Sequence, residues 1–123
     1  MKHLVVALLT LAIAAQPVCS QNADKAWKNL DYAGDGHVAH QLDIQLPAVE
    51  KPAYPVVVVI YGSAWFANNM KQMAFNAMGK PLLEAGFAVV SINHRSSGDA
   101  PFPAQINDVK AAIRFLRANK PTY

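Results

Sequence analysis

The sequence predicts an α/β fold, and three observations predict it. Residues Leu30 to Leu46 alternate apolar and polar positions around a glycine-rich turn. Two later runs, Val56 to Tyr61 and Phe87 to Asn93, are apolar without alternation, and each is followed by apolar residues at helical spacing. Such strands need cover on both faces. A strand, helix, strand, helix order supplies it through right-handed crossovers, with parallel strands and helices on the sheet faces. The predicted architecture is an antiparallel hairpin followed by a parallel strand–helix–strand–helix unit.

Leu30 and Tyr32 precede the turn Gly34-Asp35-Gly36, Leu42, Ile44 and Leu46 follow it, and Pro47 ends the second strand. Asp31 and Asp43 fall on the polar positions of these strands, which places them in solvent. His37 and His40 lie beside the turn with no carboxylate or cysteine pattern around them, so they read as surface histidines rather than metal ligands. Pro52 and Pro55 bracket a connection to the first apolar strand. Gly62 to Asn69 form a polar turn of small residues. Met70, Met73, Ala77 and Met78 then recur at helical spacing, and the methionines are expected in the core. Pro81 is expected to kink or restart that helix, and Gly86 to end it. After the loop Ser96 to Asp99, Pro103 suits a first helical position, where a missing amide hydrogen is tolerated. Ile106, Val109, Ala112, Ile113 and Leu116 then line one face while Lys110, Arg114 and Arg117 line the other, and Pro121 closes the helix.

With 123 residues, 53% apolar and 15% charged, the chain is no disordered polyampholyte and supports one domain at most. Its formal charge of +3 comes from cations spread between apolar runs. That spread does not make a phosphate-tracking stripe, and no nucleic-acid partner is expected. Lys2 and His3 precede the apolar run Leu4 to Ala15, and small residues follow. This is the pattern of a secretory signal peptide over residues 1–20, cleaved after Ser20, which predicts a secreted or periplasmic protein. The run is too short for a permanent membrane span, which takes roughly 20 apolar residues. Cys19 is the single cysteine. Lipid attachment there is disfavoured because Gln16 and Val18 stand where an aliphatic and a small residue are wanted, and cleavage after Ser20 would leave no thiol for a disulfide.

The chemistry lies in the turn after Tyr61. The stretch VVVVIYGSAW resembles the His-Gly-Gly-X-Trp turn after the third strand of α/β-hydrolases of the esterase and lipase type. AGFAVVSINHRSSGDAPFPAQINDVKAAIRFLRAN is similar to the fourth strand, its Asn-Tyr-Arg ending and the next helix in secreted bacterial esterases that remove acetyl and feruloyl groups from plant polysaccharide. LDIQLP is similar to the Leu-Asp-X-Tyr-Leu-Pro strand of the same domains. The chain departs from that pattern with Tyr61 in place of His, Ser63 in place of Gly and His94 in place of Tyr.

The resemblance implies that Gly62, Ser63 and Ala64 form an oxyanion hole, with the Ser63 and Ala64 amides as donors and Trp65 walling the acyl pocket. Attack on an ester carbonyl puts negative charge on oxygen, and amide hydrogens fixed beforehand stabilise it; losing one donor costs roughly 3–4 kcal/mol of barrier. It also implies a structural ion pair between Arg95 and Asp108. The family's nucleophile lies in a Gly-X-Ser-X-Gly elbow, and no two glycines here flank a serine at that spacing. Residues 21–123 are therefore expected to be a partial α/β-hydrolase domain, its N-terminal half, truncated before the nucleophile strand. The expectations that follow are no catalytic triad residue present, no cofactor or metal, and no activity from this chain alone. The substrate of a full-length relative would be a small-molecule or polysaccharide-linked ester. The strand Val56 to Ile60 would keep an open edge suited to self-association. Two other readings are a non-catalytic or partner-dependent binding module and a peptidase of the same fold.

Overall fold

The structure, a computed structural model, describes residues 25–123. The expected signal peptide and Cys19 lie outside them. Strand β1 (Ala26–Asp31) leads through a short 3-10 turn (Val38–His40) to β2 (Gln41–Gln45). Then come β3 (Val56–Ile60), α1 (Lys71–Glu84), β4 (Ala88–Ile92) and α2 (Ala104–Ala118). They form a mixed four-stranded sheet in the order β1-β2-β4-β3. The hairpin β1–β2 is antiparallel and joins the sheet through an antiparallel β2–β4 pairing; β3 and β4 are parallel, with Val56 opposite Ala88 and Ile60 opposite Ile92.

Period-two alternation along β4 explains why that strand is apolar throughout. Val90 and Ile92 pack with Tyr32, Leu42, Ile44 and Ala112 of α2, whereas Val89 packs on the other face with Val59, Tyr61 and Ala74 of α1. Every residue of β4 is buried.

The first apolar run, expected to be covered on both faces, behaves differently. Among the described residues β3 is an edge strand, and Val56 and Ile60 are about half exposed. Val58 turns toward the α2 side, where α2 does not fully reach β3. A cavity of about 820 Å³ remains there, lined in part by Val56, Val58, Val90, Ile113 and Leu116.

Helix α1 presents a face other than the one expected, whereas α2 keeps its expected face, with Ala112 buried, Val109 and Leu116 packed on the core and Lys110, Arg114 and Arg117 exposed, except at its start. Met73 and Met78 are exposed, and α1 instead turns Ala74, Phe75, Gly79, Leu82 and Leu83 inward. A Cβ at Gly79 would collide with the Phe75 ring, so glycine is needed for this packing. The helix neither stops nor restarts at Pro81 but runs on to Glu84. Gly86 adopts φ +88° and donates to the Leu83 carbonyl at 2.9 Å, while Phe87 donates to Leu82 at 3.1 Å, the paired bonds of a glycine-terminated helix. In α2, which begins one residue after Pro103, Ile106 is exposed and Gln105 and Asp108 are buried. These polar groups go inward because their partners are inside: Gln105 Nε2 donates to the Ser96 and Ala100 carbonyls at 3.1 and 3.0 Å, and Asp108 meets Arg95.

Asp43 and His40 are likewise buried rather than solvated, whereas His37 is exposed. The polar face of β2 is covered by α1, and Asp43 finds Lys71 Nζ at 3.0 Å, Lys28 Nζ at 3.5 Å and the Asn29 amide at 2.7 Å. Asn29 reaches it from an irregularity in β1, with φ 55°. Asp31 turns back on the hairpin loop, accepting from the amides of Ala33, Gly34 and Gly36.

Candidate functional site

Because β3 and β4 are parallel, their C-terminal ends lie at one edge of the sheet, and the segments leaving them meet there. Tyr61 is the first residue beyond β3, and His94 the second beyond β4. Both are buried, and their rings stack 4.7 Å apart at 15°. The Tyr61 hydroxyl lies 3.2 Å from the Ala67 carbonyl and 3.4 Å from that of His94. Burial pushes its pKa up, so it remains a neutral phenol.

The chain then turns through Ala64 and Trp65, which both adopt left-handed backbone, φ 49° and 69°. For L-residues each such conformation costs on the order of 1–2 kcal/mol, so neighbours must hold it. Phe66 donates to the Ser63 carbonyl at 3.0 Å, and Ala67 to Ser63 Oγ at 3.3 Å. Ser97 donates to the Trp65 carbonyl twice, from its amide at 2.7 Å and its hydroxyl at 3.0 Å. Asn68 Nδ2 donates to Asp99 at 2.8 Å. Asp99 also accepts from the Ser96 amide and hydroxyl; that amide, Asn68 and the hydroxyl together lower its pKa to about 2. The strained turn is thereby clamped to the loop after β4.

Tyr61, Gly62, Ser63, Ala64, Trp65 and His94 line a cavity of about 250 Å³. No acceptor among the described residues engages the amide hydrogens of Ser63 or Ala64. Gly62 has no left-handed φ, and a Cβ there would meet nothing within 4 Å. Neither backbone conformation nor packing therefore requires glycine at 62, and the remaining role is to keep the cavity open. Trp65 flanks it half exposed, its ring 5.8 Å from His94. Small residues, strained backbone and uncommitted amides suit the binding of a carbonyl oxygen that gains negative charge.

Behind the cavity, Arg95 and Asp108 join the end of β4 to α2. Asp108 Oδ1 accepts from Arg95 Nη2 at 2.6 Å, and Oδ2 accepts from Nε at 3.0 Å and from the Arg95 amide at 2.9 Å. Burial pushes the Asp108 carboxyl up, but the Arg95 side chain and amide outweigh it and hold the pKa below the usual carboxylate value. The resemblance pointed to this pair but not to its extension. His40 Nε2 lies 3.5 Å from Asp108 Oδ1, and His40 Nδ1 is 2.7 Å from Asp35. Asn93 was missed too: fully buried, it accepts from the Lys71 amide at 2.9 Å and donates to the Val38 carbonyl at 2.8 Å, tying α1 and the 3-10 turn to β4. Its position at the end of an apolar strand, before a second polar residue, was the available signal.

No serine hydroxyl is hydrogen-bonded to a histidine among the described residues. His40 faces Asp35 and Asp108, His94 Nδ1 faces the Arg95 carbonyl, and His37 Nδ1 accepts from the Ala39 amide. Among the same residues no cluster of three His, Cys, Asp or Glu side chains suits a metal ion, and no helix is long and apolar enough to cross a membrane.

Comparison with known proteins places this geometry in a family. The BD-FAE family model matches residues 42–123. Esterase LipQ of Mycobacterium tuberculosis (strain ATCC 25618 / H37Rv) is 38% identical over 69 residues, 56% of this chain and 16% of LipQ. The solved structure of a bifunctional GH43-CE from Bacteroides eggerthii superposes with a TM-score of 0.76 at 69% identity, covering 77% of this chain and 13% of its own. A truncated form of carbohydrate esterase from gut microbiota superposes with a TM-score of 0.79 at 55% identity, covering 86% of this chain and 36% of its own. The chain spans 16% and 23% of the lengths of the curated relatives it matches. It belongs to the BD-FAE family, and its strand–turn–helix arrangement is that of an α/β-hydrolase of the esterase type.

Proposed function

We propose that the cavity at Gly62 to Trp65 is the oxyanion-binding part of a carboxylic ester hydrolase. The Ser63 and Ala64 amides are its donors, and Trp65 is a wall of the acyl site. One observation carries this reading: two amide hydrogens without an internal acceptor sit in a strained, clamped turn beside a glycine that only the cavity requires. Hydrolysis in this class runs by acylation and deacylation of a serine. No serine among the described residues is hydrogen-bonded to a histidine, which supports the reading that the 123-residue chain alone does not turn over ester. Likeness to carbohydrate esterases favours acyl groups carried on sugar, acetyl or feruloyl, as the substrate class. The pattern of residues 1–20 favours export to the periplasm or beyond, and the half-exposed β3 edge is the surface through which isolated chains would associate.

The test is a chromogenic acetate ester assay on the polypeptide made from the uninterrupted reading frame, including any sequence beyond residue 123. Gly62→Leu should lower kcat/KM by roughly a hundredfold, the scale of a lost oxyanion contact, while shifting the melting temperature little, because the new side chain meets open space. Unchanged turnover in a folded Gly62→Leu protein would overturn the assignment.

A further inference from the structure

We propose that His94 Nε2 is the hydrogen-bond acceptor of this cavity, so that the site selects esters whose alcohol carries a free hydroxyl near the acylated oxygen. The proposal rests on the oxyanion reading of the Ser63 and Ala64 amides and adds a second point of recognition to it.

His94 is 2% exposed, yet its two ring nitrogens fare differently. Nδ1 lies 2.9 Å from the Arg95 carbonyl oxygen, which can only accept, so Nδ1 carries the proton. In the neutral imidazole Nε2 is then a lone-pair acceptor. It has no partner among the described residues. It is also not sealed, because Gln45 Oε1 is the single buried side-chain polar atom among them left without a partner. A ring buried on nearly every side but open at one nitrogen must open into the void it lines, which is the cavity of Tyr61, Gly62, Ser63, Ala64 and Trp65.

The ring cannot turn away to satisfy that nitrogen elsewhere. Tyr61 stacks on it at 4.7 Å and 15°, Trp65 lies 5.8 Å away at 60°, and rotation would break the bond to Arg95. No protein group among the described residues donates to this nitrogen, so an occupant with an O–H group supplies the hydrogen bond it lacks. The cavity therefore offers amide donors to a carbonyl oxygen and one fixed acceptor to an O–H group.

Two nearly isosteric esters separate the recognition points: 2-hydroxyethyl acetate, which carries the hydroxyl, and propyl acetate, which has a methyl group in its place. Each is titrated into the 15N-labelled chain above neutral pH. Both should shift the Ser63 and Ala64 amide resonances; only the hydroxyl ester should also shift His94 Nε2, and it should bind roughly five- to tenfold tighter, the scale of one hydrogen bond. In His94→Phe that preference should vanish while the amide shifts persist. Because this variant alters a buried stack, the Nε2 resonance of the unmodified chain stands as an independent readout. Equal affinities with an unmoved Nε2 would overturn the proposal and leave the oxyanion reading intact. Amides that respond to neither ester would overturn both.

Discussion

Asp108 and Asp43 are equally buried carboxylates, 3% and 4% exposed, and the fold neutralises them in opposite ways. Asp108 meets a planar guanidinium fork and the backbone amide of the same residue, Arg95. Its geometry is fixed in several directions at once, and it sets where the loop after β4 lies. Asp43 also accepts from a backbone amide, that of Asn29 at 2.7 Å, but its charge is shared between two lysines on different elements, with Lys71 also bonded to Asn29 Oδ1 at 2.8 Å. Ammonium groups on flexible stems neutralise charge without fixing a direction. One carboxylate is a brace for the candidate site. The other is a neutralised charge under a helix.

The largest effect separating them should come from Asp108→Asn. Leaving Arg95 without its counter-charge should cost about 3–5 kcal/mol and speed amide exchange across Ser96 to Asp99. A variant that melts and exchanges like the parent would break the comparison. Acid should reproduce part of that loss. The Asp108 pKa is held below its unfolded value, so its contribution is present above about pH 4 and disappears as pH falls through the depressed folded value; Asp99, with a pKa of about 2, acts in the same sense. An acid unfolding curve that moves little in Asp108→Asn would show that other carboxylates govern it. Lys71→Met should cost about 1–2 kcal/mol, because Lys71 is the nearer and more buried partner of Asp43. Lys28→Met, at an exposed ammonium, should cost no more than a few tenths of a kcal/mol by chemical denaturation. Equal losses from the two lysines would mean that they act as a single unit, as Arg95 does.

The legible features are those encoded in short stretches of chain. The β-branched run at β4, the helix-ending Gly86 and the alternating hairpin each state a local preference that packing respected. The turn at Gly62 to Trp65 was also legible, through its small residues and its likeness to a known motif. Met73, Met78 and Ile106 misled because helical spacing marks which residues share a face but not which face meets the sheet. In α1 the deciding contact is the packing of Ala74 against Val59, Tyr61 and Val89; in α2 it is the need of Gln105 and Asp108 for buried partners. Asp43 misled for a related reason, since alternation predicts a solvated face only when nothing covers it, and here α1 does; His40 misled because one of its carboxylate partners, Asp108, comes from α2, far along the chain.

The amino-acid order by itself therefore determined the order and kind of the strands and helices, and that the segment after Tyr61 would be built of small residues, because steric and hydrogen-bonding preferences act between near neighbours. Only the tertiary structure decided which polar side chains are buried, how the loops after β3 and β4 clamp each other, and that Tyr61 stacks on His94. Those outcomes depend on contacts between residues 9 to 33 positions apart, such as Gln105 with Ser96, Arg95 with Asp108 and Tyr61 with His94, which no local pattern specifies.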